Sequence, residues 1–204
     1  NDDFWGIIAL RSAGEPVDSA VVIGAKNFIA QHQNDDGGWS WAPDSESDTN
    51  DTAAAIMALL EAGLTSNSQT IQSAVSYLRE AQNNDGGFPY ANGESDAGSD
   101  SWVIAALNKL GINPATWQKN NHQPVEHLQS LMLNNGSFKW LAGDEQGSLG
   151  MTAFAVVALA GKSYPVAVYQ APQDVNVHHL RIEGSQQTVC NAQVEGATVQ
   201  EVLV

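Results

Sequence analysis

The chain carries a single cysteine, Cys190, in 204 residues. No internal disulfide can form, and a zinc centre built on several thiolates is excluded. Basic residues are scarce as well: 8 Lys and Arg stand against 23 Asp and Glu, a net charge of −15. Such a surface repels nucleic-acid phosphates and anionic lipid, so no nucleic-acid partner is expected. No apolar run is long enough to span a bilayer, and no signal peptide is visible. The Asp-X-Asp-X-Asp-Gly spacing of a calcium loop is missing too. Asp35, Asp36, Asp44 and Asp48 therefore read as solvated loop acids rather than cation ligands. The opening NDDFWGIIAL lacks an initiator Met and starts inside a helical pattern. Residues upstream of Asn1 are thus expected, with room for a secretion signal among them.

Apolar residues make up 43% of the chain, enough to bury a core. They are arranged periodically. QNDDGGWSWAPDSESDTNDTAAAIMALLEAG, residues 33–63, returns 49 positions later as QNNDGGFPYANGESDAGSDSWVIAALNKLG. A third copy at residues 132–160 places Met132 and Asn135 where Gln and Asp stood. Each copy runs from the end of one helix, through an acidic Gly-rich loop, into an apolar helix. A two-helix repeat of this length implies an array of helical hairpins.

The spacing predicts inner helices at residues 2–13, 51–62, 100–110 and 151–160. The stretch 51–62 has almost no polar face, so it is expected to be buried all round. Outer helices with one apolar stripe are predicted at 18–32, 70–81 and 125–133. Asp2 or Asp3, Asp51 or Thr52, and Asp100 are the expected caps of the inner helices. From Tyr164 the periodicity stops. Residues 164–174 read as a linker, and the remainder as strand, turn, strand and, from Ala197, the start of a helix. The domains expected are therefore 1–163, helical repeats, and 175–204, part of a second and β-rich domain.

Gln33…Asp36-Gly37-Gly38-Trp39 and Gln82…Asp85-Gly86-Gly87-Phe88 resemble the Gln-Trp repeat of squalene and terpene cyclases, within the prenyltransferase and squalene-oxidase repeat superfamily. The resemblance covers roughly residues 2–161. It implies a mainly α fold, an α/α toroid, here an incomplete ring followed by a short β-hairpin segment. In that family the Gln amide and the aromatic ring brace adjacent hairpins, which gives Gln33, Gly38, Trp39, Gln82, Gly87 and Phe88 as structural-motif residues. The tail resembles the opening of a β-grasp-like domain that follows such toroids in bacterial surface proteins and in cobalamin carriers.

Asp48-Thr49-Asn50-Asp51-Thr52 resembles the Asp-X-Asp-Asp-Thr motif of class II terpene cyclases. There the middle Asp protonates an alkene or epoxide. Asn50 stands in its place, and an amide cannot donate that proton. The catalytic set is therefore none, or, were the chain an enzyme, Asp48 and Asp51. Zinc-dependent relatives hold their metal through Cys, His and Asp, and the sole Cys190 lies outside the repeats. The complement-type thioester motif is absent, and no metal site is expected. Asp48, Asp96 and Asp144 could form glycosidase-like pairs, though acidic loops make such pairs without function. Adjacent His178 and His179 point to opposite faces of a strand, which disfavours a shared ion. Trp5, Trp41, Trp102, Trp140 and Phe154 lie near inner-helix starts and either line a ligand cavity or fill core.

The reading that results is a non-catalytic ligand-binding or structural module of an extracellular or cell-surface protein. A hydrophobic or corrinoid small molecule, cobalamin included, is the ligand the resemblance implies. A terpene-cyclase-like enzyme is the alternative. Further repeats or another chain would complete the ring.

Overall fold

In a computed structural model, residues 1–166 are described in full, and beyond them the backbone of three strands. The fold divides into two compact units, Asn1–Val166 and Ala167–Val204.

The first unit is helical. Inner helices α1 (Asp2–Ser12), α3 (Thr49–Glu61), α5 (Ala97–Leu110) and α7 (Leu149–Leu159) pack side by side in chain order. Outer helices α2 (Ala20–Gln31), α4 (Gln69–Ala81) and α6 (Pro124–Ser130) back α1, α3 and α5. This is the arc of an α/α toroid. The chemistry of α3 puts it in the middle: residues 51–59 are all buried, and Ala53, Ala54, Ala55 and Ala58 let neighbouring helices approach closely. Ile56, Met57 and Leu59 are fully buried. Each such side chain contributes about 1.5–3 kcal/mol relative to exposure. The amphipathic α4 buries only Ile71, Ala74 and Leu78.

Among the described residues, α1 and α7 have an inner neighbour on one side only. Of α1 just Phe4, Ile7 and Ile8 are buried, and of α7 just Ala155 and Ala158. Leu149 is 88% exposed and Val156 is exposed too.

α1 starts at Asp2 as the pattern predicts, but α3, α5 and α7 start two or three residues earlier, and this corrects their caps. Asp48 Oδ1 accepts the Asp51 amide at 2.7 Å, Asp96 Oδ1 the Ser99 amide at 2.9 Å, and Ser148 Oγ the Met151 amide at 3.4 Å. Asp51, Thr52 and Asp100 lie inside the first turn. Asp2 and Asp3 also sit within the first turn of α1, and Asn1 at the cap position makes no side-chain bond. The helices end as the glycines require. Gly63 and Gly111 take positive φ, and the next amides, of Leu64 and Ile112, reach back to Leu59 O and Leu107 O at 2.9 Å.

In the second unit, β1 (Val177–Arg181), β2 (Thr188–Val194) and β3 (Ala197–Glu201) form an antiparallel sheet in the order β1-β2-β3. The hairpin read from sequence thus gains a third strand, and the helix expected from Ala197 is corrected. Thr198 and Val199 are β-branched and suit a strand paired to Gln193 and Ala192.

Candidate functional site

Three loops enter α3, α5 and α7 by one construction. The amide of the loop aromatic is held by a side chain in the helix that follows: Trp39 N donates to Thr52 Oγ1 at 2.9 Å, Phe88 N to Asp100 Oδ1 at 2.7 Å, and Phe138 N to Thr152 Oγ1 at 2.9 Å. Thr52 and Asp100, expected as caps, therefore tether the loops instead. Gln33 Nε2 donates to Gly37 O at 2.8 Å and to Thr70 O, in the first turn of α4, at 2.9 Å. Gln82 Nε2 donates to Gly86 O at 2.8 Å and Trp117 O at 3.3 Å. Trp39 Nε1 donates to Ile29 O, and Phe88 packs near Trp117. Met132, in the Gln position of the third loop, is exposed.

One substitution between loops is compensated. Asp36 Oδ1 accepts the Gly38 amide and the Ser47 hydroxyl, and Asp85 Oδ1 accepts the Gly87 amide and the Ser95 hydroxyl. A Cβ at Gly38 or Gly87 would stand 2.6 Å from the Ser47 or Ser95 Cβ. In the third loop the glycine is Ser137 and the serine is Gly147. Ser137 supplies both its amide and its hydroxyl to Asn135 Oδ1, and a Cβ at Gly147 would stand 2.6 Å from the Ser137 Cβ. One hydroxymethyl group fills one space, delivered from either side of the loop.

Each loop also closes the inner helix before it. Asn1 N donates to Trp41 O at 2.7 Å, Thr49 N to Tyr90 O at 2.8 Å and Ala97 N to Trp140 O at 3.0 Å. Among the described residues the Leu149 amide at the start of α7 has no such partner.

The acidic motif lies at the start of α3. Asp48 is 2% exposed, and burial pushes its carboxyl from 3.8 up to about 7, with the Asp51 carboxylate adding to the rise and the Asp51 amide and Tyr90 hydroxyl opposing it. Tyr90 is itself pushed up to about 12, by burial and then by the charges of Asp48 and Asp51. Tyr77 is raised by burial and by Asp36 and Asp48. The Thr49 hydroxyl donates to Pro89 O at 2.7 Å. Asn50, at the position of the family acid, is half-buried. Asp96 caps α5, while Asp144 Oδ2 only accepts the Leu141 amide in an exposed loop. The side chains of His178, His179 and Cys190 fall outside the described residues.

Asp100, read from sequence only as a cap, is the centre of a second buried acidic site. Asp100 is fully buried, and His127 Nδ1 of α6 lies 2.6 Å from its Oδ2, with Asp85 Oδ2 at 3.6 Å from Nε2. Burial lifts Asp100 to about 6 against the opposing pull of His127. Burial would lower His127, but Asp100, Asp85 and Asp96 together raise it. The repeat register held the signal: Asp100 occupies the place of Thr52 and Thr152, and a charge at a buried position requires a partner.

The sequence-derived aromatic set separates into two places. Trp5, Trp102 and Phe154 form one cluster with Tyr164, a residue the pattern did not single out. Ring centroids are 5.2 Å apart for Trp5–Trp102, 5.0 Å for Trp102–Phe154, 4.9 Å for Trp102–Tyr164 and 6.1 Å for Trp5–Tyr164. Trp5 belongs to α1 and Trp102 to α5, so the rings meet across α3. The Tyr164 amide contacts Met57 Sδ of α3 at 3.5 Å. Trp41 and Trp140 lie in the loops, exposed. Several basic side chains are committed elsewhere: Arg11 to Glu61 O and Glu15 O, Lys109 to Glu61, Lys119 to Gln82 O, and Arg79 4.0 Å above the Trp117 ring.

Two family models match. The squalene-hopene cyclase C-terminal domain covers residues 4–92, and the prenyltransferase alpha-alpha toroid domain covers residues 99–180. No curated protein matches the sequence significantly. Among solved structures, Candida albicans protein geranylgeranyltransferase-I complexed with GGPP superimposes with a TM-score of 0.57 at 21% identity. The match covers 69% of this chain and 43% of that one, so this chain spans less than half of that relative's length. Both matched models, the repeat loops and the ordered arc of inner and outer helices converge on the α/α toroid, and the chain fits the prenyltransferase and terpene cyclase-like superfamily.

Proposed function

We propose that the helical unit is a non-catalytic binding module that holds a hydrophobic small molecule against the cluster of Trp5, Trp102, Phe154 and Tyr164. The observation that carries this reading is the meeting of these four rings, drawn from α1, α5, α7 and the chain just after α7, beside the buried α3. Aromatic faces give apolar contact at little cost in side-chain entropy. The similar geranylgeranyltransferase was solved with an isoprenoid diphosphate. Among the described residues Arg11, Arg79, Lys109 and Lys119 already serve other partners, which leaves few basic side chains for a diphosphate end. An isoprenoid without a diphosphate fits better. A corrinoid offers a comparable apolar face, although the cluster contains no histidine to reach its metal. An extracellular or cell-surface setting, suggested by the sequence resemblance, belongs to the same proposal.

The test is quenching of tryptophan fluorescence by farnesol, squalene and hydroxocobalamin, with visible absorption recorded for the last. Saturable quenching that Trp102→Ala weakens at least about tenfold supports the reading. Equal quenching in parent and variant overturns it.

One feature favours the enzyme alternative: burial pushes the Asp48 carboxyl up to about 7, toward the range a general acid needs. Against it, Asp48 is buried and one oxygen already accepts the Asp51 amide. Incubation with squalene and geranylgeranyl diphosphate separates the two. Cyclic product that disappears in Asp48→Asn would establish the enzyme.

A further inference from the structure

At the end of α7 the chain turns back across its neighbours. Gly161 takes positive φ (68°), and the Lys162 amide reaches back to Val157 O at 3.1 Å, which closes the helix. Asn108 of α5 fixes this turn, its Nδ2 donating to Ala158 O at 3.0 Å and to Lys162 O at 2.9 Å. Two residues on, Tyr164 lies against Trp102 of α5 and Trp5 of α1, and its amide meets Met57 Sδ of α3 at 3.5 Å. It packs on the core built by α1, α3 and α5, not on the separate core that α7 shares with α5 and α6. Residues 161–166 thus form a strap that runs from α7 to α3.

The strap is fastened at its hinge and nearly free along its length. Past Lys162, among the described residues, its backbone makes a single hydrogen bond, to the Met57 thioether, a weak acceptor. Pro165 has no amide to donate, and Val166 is exposed. What latches the strap is the Tyr164 ring. That ring is the most nearly parallel neighbour of Trp102, at 34° between planes, against 72° for Trp5 and 50° for Phe154. It covers a face of Trp102 that a flat or chain-like apolar ligand would need. A segment with few backbone bonds and one side-chain latch opens locally, well short of global unfolding. We propose that Tyr164 is a built-in occupant of the aromatic site, and that a hydrophobic ligand binds by displacing it and swinging the strap away from Trp102. The inference rests on the cluster being a ligand site and adds its regulation. Of the four rings, Trp5, Trp102 and Phe154 stand on three helices and hold the ligand, while Tyr164 yields to it. The free protein shields Trp102 until a ligand competes.

The experiment is a fluorescence titration with farnesol of the parent, Tyr164→Ala, Tyr164→Phe and Trp102→Ala, with thermal melts to confirm that each is folded. The apparent dissociation constant is the intrinsic one divided by the fraction of molecules with the strap open. Removing the latch raises that fraction, so Tyr164→Ala is expected to bind about tenfold tighter, and Tyr164→Phe, which keeps the ring, within about twofold of the parent. Hydrogen exchange at the amides of residues 162–164 and 166 should quicken when farnesol saturates the parent. Binding that Tyr164→Ala leaves unchanged or weakens would make Tyr164 part of the wall and overturn the proposal, as would slower exchange in the strap with farnesol bound. The exchange measurement uses the parent alone and decides the matter should Tyr164→Ala not fold. If neither the parent nor Tyr164→Ala binds farnesol, the ligand site itself falls and the strap's role with it. Binding that Trp102→Ala abolishes but Tyr164→Ala does not tighten defeats the strap alone.

Discussion

At the scale of single residues, the loops show what a repeat must keep and what it can exchange. The compensated pair in the third loop gives a sharp test. Gly147→Ser alone puts a second hydroxymethyl group where Ser137 already sits, and it should destabilise strongly. Ser137→Gly alone leaves Asn135 without its hydroxyl donor. The double variant rebuilds the arrangement of the first two loops and should recover most of the loss. A double-mutant cycle by urea denaturation is expected to show coupling on the order of 1–2 kcal/mol; additive effects would contradict the pairing. Gln82 is 2% exposed and makes two backbone bonds, so Gln82→Ala should cost roughly 1–2 kcal/mol. Gln33→Ala, at a less buried site, should cost less by the same denaturation assay. The Gln brace and the loop glycines were legible in the sequence because motif and period agree. The caps were not. Asp48, Asp51 and Thr52 are all acceptable cap residues by type, and only the extended backbone at Asp48 decides among them.

At the scale of elements, close approach of loop to helix holds the hairpins together. A Cβ at Gly37 would stand 2.5 Å from Ser73 O of α4, and one at Gly87 would meet the His127 ring of α6 and the Ser95 Cβ. Gly136 of the third loop meets nothing within 4 Å. Gly87→Ala should therefore push α6 from its loop, separate His127 from Asp100 and lower the His127 pKa, a change that histidine NMR titration reads directly. An unmoved His127 titration would show that α6 is held by other contacts. The inner helices illustrate the limit of pattern reading. α7, LGMTAFAVVAL, is richer in apolar residues than α3, yet α3 is enclosed and α7 is half bare. Apolarity states what a helix would bury, whereas burial depends on neighbours that its own sequence does not contain. Leu59→Ala in α3 should accordingly cost about 2–5 kcal/mol. Val156→Ala should stay within about 0.5 kcal/mol in the same melts.

At the scale of the whole molecule, the resolved ionisations share one direction. Asp48 and Asp100 are raised from 3.8 to about 7 and about 6, and His127 is raised as well. A raised carboxyl means that the folded state binds its proton more tightly, so stability declines as pH climbs through 3.8 toward 6 or 7. The raised His127 adds stability fully present below 6.5 and lost as pH rises through its folded value. The melting temperature should therefore be higher near pH 5 than near pH 8.5. Asn caps helices as well as Asp does, so Asp48→Asn should raise the pH 8.5 melting temperature and flatten the slope. A flat parent profile would count against these shifts. One further property concerns order in time. The carbonyls that close α3 and α5 come from Tyr90 and Trp140, some forty residues downstream of the amides they accept. As the chain leaves the ribosome, amino end first, neither helix can be finished until the following loop has emerged. Maturation of the arc thus lags synthesis by one repeat, and the newest inner helix is always the one awaiting its seal.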